Sequence, residues 1–244
     1  MHTFRIKIGN LVTDVHSNYS YIEEICKPYL SEVTAKCDLA IDAESIESER
    51  KDILELHDAF ELNHWNQCDW FLEVYALLHK ILPVLPDHNM LFMHGSAIRY
   101  RGKAYLFIAP SGTGKSTHSS LWRERFGEDV TIINDDKPFL AFRDNRVYLC
   151  GTPWRGKHNI GQNMEEELAG ICVLKRGEVN KVHRLEPFDA VNEVIQQSYL
   201  HSYKHNTLLA LDLIDELLKL VPVYELFCTP TIDAVDVCCN AIVK

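Results

Sequence analysis

Residues 106–122 read LFIAPSGTGKSTHSSLW and carry the clearest structural signal of the chain. An apolar run is followed by a glycine-rich turn, and a lysine and two hydroxyl residues come next. Residues 109–116 fit the pattern G-x-x-x-x-G-K-[ST], except that alanine stands at the first position. Gly112 and Gly114 allow the backbone to curl so that several N–H groups point at one anion, and the helix that follows adds its positive end. The stretch therefore predicts a phosphate-binding loop between a strand and a helix.

Two residues of this loop carry specific nucleotide chemistry. Lys115 supplies a mobile positive charge for the β- and γ-phosphates of a nucleotide, and the hydroxyl of Ser116 is placed to bind Mg²⁺. A plain glycine turn between strand and helix is the alternative interpretation. On the phosphate-binding interpretation, the predicted nucleotide contacts are Ala109, Pro110, Ser111, Gly112, Thr113, Gly114, Lys115, Ser116 and Thr117.

A second motif, VTIINDD at residues 130–136, places two carboxylates at the end of an apolar run. Asp135 follows Lys115 by 20 residues, which leaves room for one helix and a turn and returns the chain beside the glycine-rich loop. One carboxylate of the pair can hold a metal ion, and the other can accept a proton from an attacking hydroxyl. A solvated turn at the end of a strand is the alternative.

A third motif, MHGSA at residues 93–97, precedes the loop. The turn at Arg101–Gly102 is expected to fold this strand back along the strand that leads into the glycine-rich loop. His94 then lies near the strand ends, within reach of a bound metal, although a histidine in an apolar strand is as often part of the core. The spacing alone does not choose between these two roles.

The composition is that of an ordinary globular protein with an acidic surface. The chain has 244 residues, of which 46% are hydrophobic and 25% charged, and a formal net charge of −10. A broad acidic surface repels a phosphate backbone, so nucleic acid is not an expected partner. The eight cysteines form no Cys-x-x-Cys pair and lie mostly in apolar runs, as reduced thiols of cytosolic proteins do. Since no secretory signal and no apolar run of about 20 residues is visible, we predict a cytoplasmic protein without a membrane partner, of open oligomeric state.

The pattern of apolar residues predicts two units. Residues 1–88 are expected to form an N-terminal α/β subdomain, with strands at 4–8 and 38–42 and helices over 44–57 and 70–82. Residues 89–244 are expected to form the core that carries the three motifs. Its predicted strands cover 91–100, 104–108, 130–133, 138–142, 146–150, 170–175, 181–185 and 223–228, with hairpins around 101–102, 144–145 and Gly177, and its helices cover 116–125, 187–200, 207–220 and 232–243.

Taken together, the segments MHGSA, RGKAYLF, APSGTGKST and INDD resemble the nucleotide-binding core shared by HPr kinase/phosphorylase and the ATP-dependent phosphoenolpyruvate carboxykinases. The resemblance implies an α/β fold with a P-loop core, built from mixed, largely antiparallel sheets with flanking helices. It implies ATP and Mg²⁺ as cofactors, with Mn²⁺ as the alternative metal. It also implies that His94 and either Asp136 or Asp135 bind the metal, and that Asp135 accepts the proton of a substrate serine. We therefore assign the metal to Ser116, Asp136 and His94, and proton acceptance to Asp135.

The segment GTPWRGKHN, residues 151–159, combines two cations with glycine and an aromatic ring after a predicted strand. Phosphoryl transfer spreads negative charge over three oxygens, and cations on a closing loop can stabilise that charge. Arg155 and Lys157 are therefore predicted to contact phosphate or substrate, as catalytic residues beside Lys115 and Asp135. An ordinary surface loop with a packed tryptophan is the alternative.

The function predicted from these motifs is that of an ATP- and Mg²⁺-dependent kinase. It would transfer the γ-phosphate to a hydroxyl of a protein, a peptide or a small molecule. Two alternatives stay open, namely a nucleotide-sensing binding module without phosphotransfer and a phosphate-dependent phosphorylase acting on phosphoserine. The sequence does not name the acceptor.

Overall fold

The computed structural model of the chain describes residues 2–56 and 68–243. Within them the strands are β1 (His2–Ile8), β2 (Leu11–Ser17), β3 (Cys37–Ala40), β4 (Met90–Phe92), β5 (Gly95–Tyr100), β6 (Lys103–Ile108), β7 (Val130–Asn134), β8 (Phe139–Arg143), β9 (Arg146–Cys150), β10 (Glu165–Arg176), β11 (Lys181–Arg184) and β12 (Val223–Cys228). The helices are α1 (Ser20–Cys26), α2 (Ala43–Leu56), α3 (Asp69–Ile81), α4 (Lys115–Phe126), α5 (Pro187–Gln197), α6 (Thr207–Leu220) and α7 (Ile232–Ile242). The last residue of the helix predicted over 44–57 lies outside the described residues.

The first three strands form a small sheet against which α1 and α3 pack. β1 pairs with β2 antiparallel, and β2 pairs with β3 parallel. The alternation that predicts β1 is realised, because Phe4, Ile6 and Ile8 all face the core. The buried carboxylate of Glu73 in α3 accepts two backbone N–H groups just before α1, at 2.6 and 3.1 Å, and so fixes where that helix begins.

The remaining nine strands described form one mixed sheet, in the order β4-β8-β9-β10-β6-β5-β7, with β12 and β11 continuing from β10. The long strand β10 joins the two parts of this sheet. Its first three residues pair with β9, and its later residues lie between β6 and β12. β6 and β12 run parallel to β10, and the other described pairs of this sheet are antiparallel. The predicted α/β fold with mixed, largely antiparallel sheets and flanking helices is confirmed.

The prediction of one continuous strand over residues 91–100 is wrong, because the chain forms two strands there, β4 and β5. The break lies at Met93 and His94. The N–H of Met93 is donated to the carbonyl oxygen of Pro138 at 3.0 Å, and that of His94 to the carbonyl oxygen of Gln197 at 2.7 Å. Segments distant in sequence therefore interrupt an apolar run that is locally uniform.

The hairpin predicted around Gly177 is also wrong. β12 lies between β10 and β11, parallel to the first and antiparallel to the second. Because a strand from the C-terminal part of the chain occupies the place beside β10, the two strands adjacent in sequence cannot pair. The other two predicted hairpins, β5–β6 and β8–β9, are confirmed.

One apolar core runs through both predicted units. Its buried members include Leu77 of α3, Phe92 of β4 and Leu149 of β9. A second cluster includes Trp122 of α4 and buried residues of α7. The boundary near residue 88 stays a prediction. Across residues 2–56 and 68–243, no helix combines the length and the apolar character needed to cross a bilayer.

Candidate functional site

The glycine-rich loop, residues 109–116, joins the end of β6 to the start of α4. Gly112 and Gly114 have φ angles of 76° and 120°, a region that favours glycine. A Cβ at either position would meet nothing within 4 Å, so the backbone conformation and not crowding requires glycine there. Ala109 does not have a positive φ, and alanine therefore fits where the motif has glycine. The loop is curled, and α4 begins at Lys115.

The side chain of Lys115 folds back over this loop. Its Nζ donates to the carbonyl oxygens of Ala109 at 2.8 Å and of Pro110 at 3.4 Å. Burial lowers the pKa of Lys115, the carboxylate of Asp136 acts in the opposite direction, and the charge of Lys137 lowers the pKa further. Lys115 and Asp136 therefore belong to one electrostatic site at the N-terminal end of α4.

Strand β5 brings the motifs together because it lies between β6 and β7. Gly95 pairs with Ile108 at the end of β6, and Ala97 pairs with Asn134 at the end of β7. A Cβ at Gly95 would lie 2.8 Å from the carbonyl oxygen of Phe107, so only glycine fits at this point of the sheet. The glycine-rich loop follows β6, and the acid pair, Asp135 and Asp136, follows β7. The loop and the acid pair thus lie at the same end of these strands.

His94 lies between Asp136 and Gln197. Its Nε2 is 3.3 Å from Oδ1 of Asp136, and its Nδ1 is 3.0 Å from Oε1 of Gln197. When Nδ1–H is donated to the amide oxygen, Nε2 is the nitrogen that faces Asp136. There a protonated ring donates Nε2–H to the carboxylate, whereas a neutral ring offers its lone pair to a metal. Gln197 ends α5, 103 residues further along the chain, and no sequence pattern points to it.

The carboxylate of Asp136 is paired with both His94 and Lys137. Burial alone would raise the pKa of Asp136, but the hydrogen bond from His94 and the charge of Lys137 outweigh burial and bring the pKa to about 2. Burial would lower the pKa of Lys137, but the charge of Asp136 outweighs it and the pKa is raised. The ammonium of Lys137 also lies 5.8 Å from the centroid of the Tyr75 ring. Asp136 is therefore ionised at neutral pH.

The carboxylate of Asp135 is buried and bonded to the loop that follows β9, residues 151–160. Its Oδ1 accepts the N–H of Gly156 at 2.7 Å, and its Oδ2 lies 3.4 Å from the backbone nitrogen of Ile160. The first contact is a strong hydrogen bond and the second a weak one. Oδ2 therefore keeps capacity to accept a proton, whereas Oδ1 fixes the loop.

The first half of the 151–160 loop is anchored in the core. The Asn134 amide donates to the carbonyl oxygens of Thr152 at 3.2 Å and of Trp154 at 3.1 Å. The indole N–H of Trp154 is donated to the carbonyl oxygen of Val74 at 2.7 Å, and its ring stacks on Phe139 at 5.8 Å. The tryptophan is packed, as the surface-loop alternative expects, and it ties the loop to α3.

Two cavities adjoin the site. The glycine-loop cavity has a volume of about 450 Å³, and its lining includes Gly112, Leu121, Leu174, Arg176 and Thr229. The aromatic cleft has a volume of about 590 Å³ and lies between the N-terminal elements and the 151–160 loop. Its lining includes Tyr21, Phe71, Tyr75, Asp136, Arg155 and Lys157. The two predicted loop cations thus line the same cleft as one acid of the pair.

The remaining predicted residues lie on the first turn of α4. Ser116 is half-buried there and Thr117 is exposed. An imidazole nitrogen, a carboxylate and a hydroxyl form a donor set that suits Mg²⁺ or Mn²⁺. The roles assigned to His94, Asp136 and Ser116 at a metal, and to Asp135 as proton acceptor, stay predictions.

Comparison with known proteins gives similarities among solved structures. No family model and no curated protein matches the chain. Among solved structures, the HPr(Ser) kinase/phosphatase from Coxiella burnetii is similar over 62% of this chain and 95% of its own, with a TM-score of 0.36 and 11% sequence identity. A similarity at that level establishes neither the family nor the function of this chain.

Proposed function

We propose that this chain is a phosphotransferase that uses ATP and a divalent metal to phosphorylate a hydroxyl group. The observation that supports this most is the convergence of Lys115 at the start of α4 with Asp136 and His94 beside it. A cation, a helix N-terminus and an ionised carboxylate in one partly buried site match what a triphosphate and its metal need.

In this proposal the triphosphate lies on the glycine-rich loop. Lys115 leaves the carbonyl oxygens of its own loop and binds the β- and γ-phosphates. The base and ribose occupy the glycine-loop cavity, against Leu121 and Leu174. Arg176 borders this cavity and donates to the carbonyl oxygen of Gly112 at 2.6 Å, so it helps to hold the loop in its curled shape.

His94, Asp136 and Ser116 would hold the metal, which neutralises negative charge on the phosphates when it is bound. Gln197 orients the ring of His94 through Nδ1 and leaves Nε2 for the metal. Lys137 balances the charge of Asp136 before nucleotide and metal arrive, so that the carboxylate stays ionised in a largely buried position.

The acceptor hydroxyl loses its proton to Asp135 in this proposal. Oδ1 is committed to the N–H of Gly156, whereas Oδ2 makes only the long contact with Ile160 and has room for a proton. The acceptor itself enters through the aromatic cleft, where Arg155 and Lys157 face it.

The hydrogen bonds that the carboxylate of Asp135 accepts from the 151–160 loop also favour one alternative, a nucleotide-sensing module. Nucleotide bound at the glycine-rich loop would then reposition the 151–160 loop and change a binding surface without phosphotransfer. This function needs Lys115 but does not need Asp135 as a proton acceptor.

The test is a transfer assay with γ-labelled ATP and a panel of serine peptides and hydroxylated metabolites, run with and without Mg²⁺. We expect Mg²⁺-dependent labelling of at least one acceptor. Lys115→Ala should cost about 3 kcal/mol of transition-state stabilisation, roughly a hundredfold in rate. Lys181→Ala, an exposed lysine of β11, is the matched control and should transfer label normally.

The other outcomes of this assay separate the alternatives. Nucleotide binding without labelling of any acceptor would support the sensing module. Pyrophosphate formed from inorganic phosphate and a phosphoserine peptide would reveal the phosphorylase direction. Wild-type rates of phosphoryl transfer in a folded Lys115→Ala variant would contradict the proposal.

A further inference from the structure

Beside the aromatic cleft lie two buried polar groups that lack a hydrogen-bond partner within residues 2–56 and 68–243, one of them on Arg155, which lines the cleft. They are the hydroxyl of Tyr29 and the Nε–H of Arg155. Tyr29 is only 1% exposed, and burial raises the pKa of its phenol to about 12, an effect that the nearby charge of Arg155 opposes. Buried donors are nearly always paired, because an unpaired one costs free energy. Arg155 therefore keeps a buried donor that no acceptor within the described residues engages.

The charges that line the cleft are balanced except at its two loop cations. Glu24 pairs with Lys27 at 2.5 Å, and Asp136 pairs with Lys137 and a histidine. Within the described residues neither Arg155 nor Lys157 makes an ion pair. The cleft therefore carries an excess of positive charge at the side formed by the 151–160 loop, in a protein whose net charge is −10.

The opposite wall of the cleft is apolar and aromatic. Tyr21, Phe71 and Tyr75 line it, and all three come from α1 and α3. Tyr21 is 43% exposed and stacks edge-on against Trp70, so it presents an accessible ring. Such walls bind apolar groups, while a few convergent polar groups fix the orientation of the ligand.

From these observations we infer that the aromatic cleft is a binding site for an anionic molecule with an apolar part, held through its anion by Arg155 and through its apolar part by the rings of α1 and α3. The inference rests on the proposed function in taking this molecule as the phosphoryl acceptor. The acceptor class is then a hydroxylated compound or peptide segment that also carries a carboxylate or similar anion. Arg155 suits this role because its planar fork of donors matches a carboxylate.

The site is tested by binding alone, without nucleotide or metal, so that the outcome is independent of phosphotransfer. The probes are 3-phenylpropionate, its neutral amide 3-phenylpropionamide, and acetate, each titrated in a ligand-observed NMR experiment. The dissociation constant of the first should be on the order of 1 mM, as expected for so small a ligand. We expect the acid to bind about tenfold tighter than the amide, and acetate to bind more weakly than the acid by a similar factor.

Matched variants locate the site. Arg155→Gln should bring the acid and the amide to within about twofold of each other, whereas Arg184→Gln, at an exposed arginine of β11, should keep the difference. Tyr21→Ala should weaken the acid and the amide equally. Lys115→Ala should keep the difference between acid and amide, because no residue of the glycine-rich loop lines the cleft.

Equal affinity of acid and amide for the wild-type protein would overturn the inference without recourse to any variant. So would the absence of binding by both at concentrations on the order of 10 mM, or an acid–amide difference that survives Arg155→Gln. Each of these results would leave the proposed phosphotransfer standing, since that depends on ATP at the glycine-rich loop.

Discussion

Replacing Asp136 with asparagine tests the charged cluster at the centre of the site. The carboxylate has a pKa of about 2 in the folded protein, against an ordinary value of 3.8. A folded pKa below the unfolded one means that the ionised carboxylate stabilises the fold, here by about 2 kcal/mol at neutral pH. Because asparagine keeps the shape and loses the charge, Asp136→Asn should lower the free energy of unfolding by about that amount. The partners whose favourable interaction is lost are His94 and Lys137.

The pH dependence separates this effect from a packing defect. As the pH falls below 3.8 toward 2, the wild type protonates Asp136 and loses the stabilisation, whereas the variant has no such charge to lose. The difference in stability should be complete at neutral pH and roughly halved at about pH 3. Urea denaturation followed by circular dichroism, in buffer with a chelator, measures it at each pH. Asp144→Asn, exposed in the β8–β9 turn, is the control and should match the wild type. A zero difference at neutral pH, or one that persists in acid, would show that the charge of Asp136 does not stabilise the fold.

Three further changes test single parts of the site. Gln197→Met removes the acceptor of the His94 Nδ1–H, so the affinity for Mn²⁺ in the presence of ATP should fall about 10–100-fold. Electron paramagnetic resonance measures this affinity, and an unchanged value would argue against His94 as a metal ligand. Gly156→Ala places a methyl group 3.2 Å from Oδ2 of Asp135, so phosphotransfer should fall while ATP binding persists, whereas Gly170→Ala, whose added methyl has its nearest neighbour at 3.7 Å, should keep both. Asp135→Asn should retain ATP affinity and abolish transfer, and a variant that still labels acceptors would move the proton acceptor elsewhere.

Sequence patterns within a few residues predicted the turns and helices whose conformation depends on neighbouring residues. The turn of the β8–β9 hairpin has positive φ at both Asp144 and Asn145, 52° and 57°, and these residue types tolerate that conformation. Helix α6 begins and ends at the predicted residues, because the spacing of its apolar residues and the residues that flank it indicate the same two ends. The curl at Gly112 and Gly114 follows from the same conformational freedom of glycine.

Contacts between segments that are distant in the sequence determine the parts of the fold that were not predicted. β12 takes the place beside β10 that a local hairpin would have used, and nothing near Gly177 in the sequence records this. The break before β5 depends on a carbonyl oxygen of Gln197, at the end of a helix about a hundred residues away. The same residue orients His94, so the sequence predicted the histidine but not the group that fixes its ring.

The placement of the acid pair was likewise predicted only in part. Its spacing from Lys115 predicted that it would return to the glycine-rich loop, and the electrostatic influence of Asp136 on Lys115 agrees with that. No sequence pattern indicated that Asp135 would accept a hydrogen bond from Gly156 of the 151–160 loop, or that Tyr29 would lie buried beside Arg155. These contacts depend on how the N-terminal elements pack against the main sheet.

In the proposed function the glycine-rich loop and the acid pair together bind a triphosphate with its metal. Isothermal titration of ATP into the wild-type protein and Lys115→Ala, with Mg²⁺ and then with a chelator, measures this binding. We expect wild-type binding that needs Mg²⁺ and is weakened at least about tenfold by loss of the lysine, which corresponds to one charge-assisted hydrogen bond. Absence of ATP binding by the wild type, or equal affinity of the two proteins, would contradict the claim.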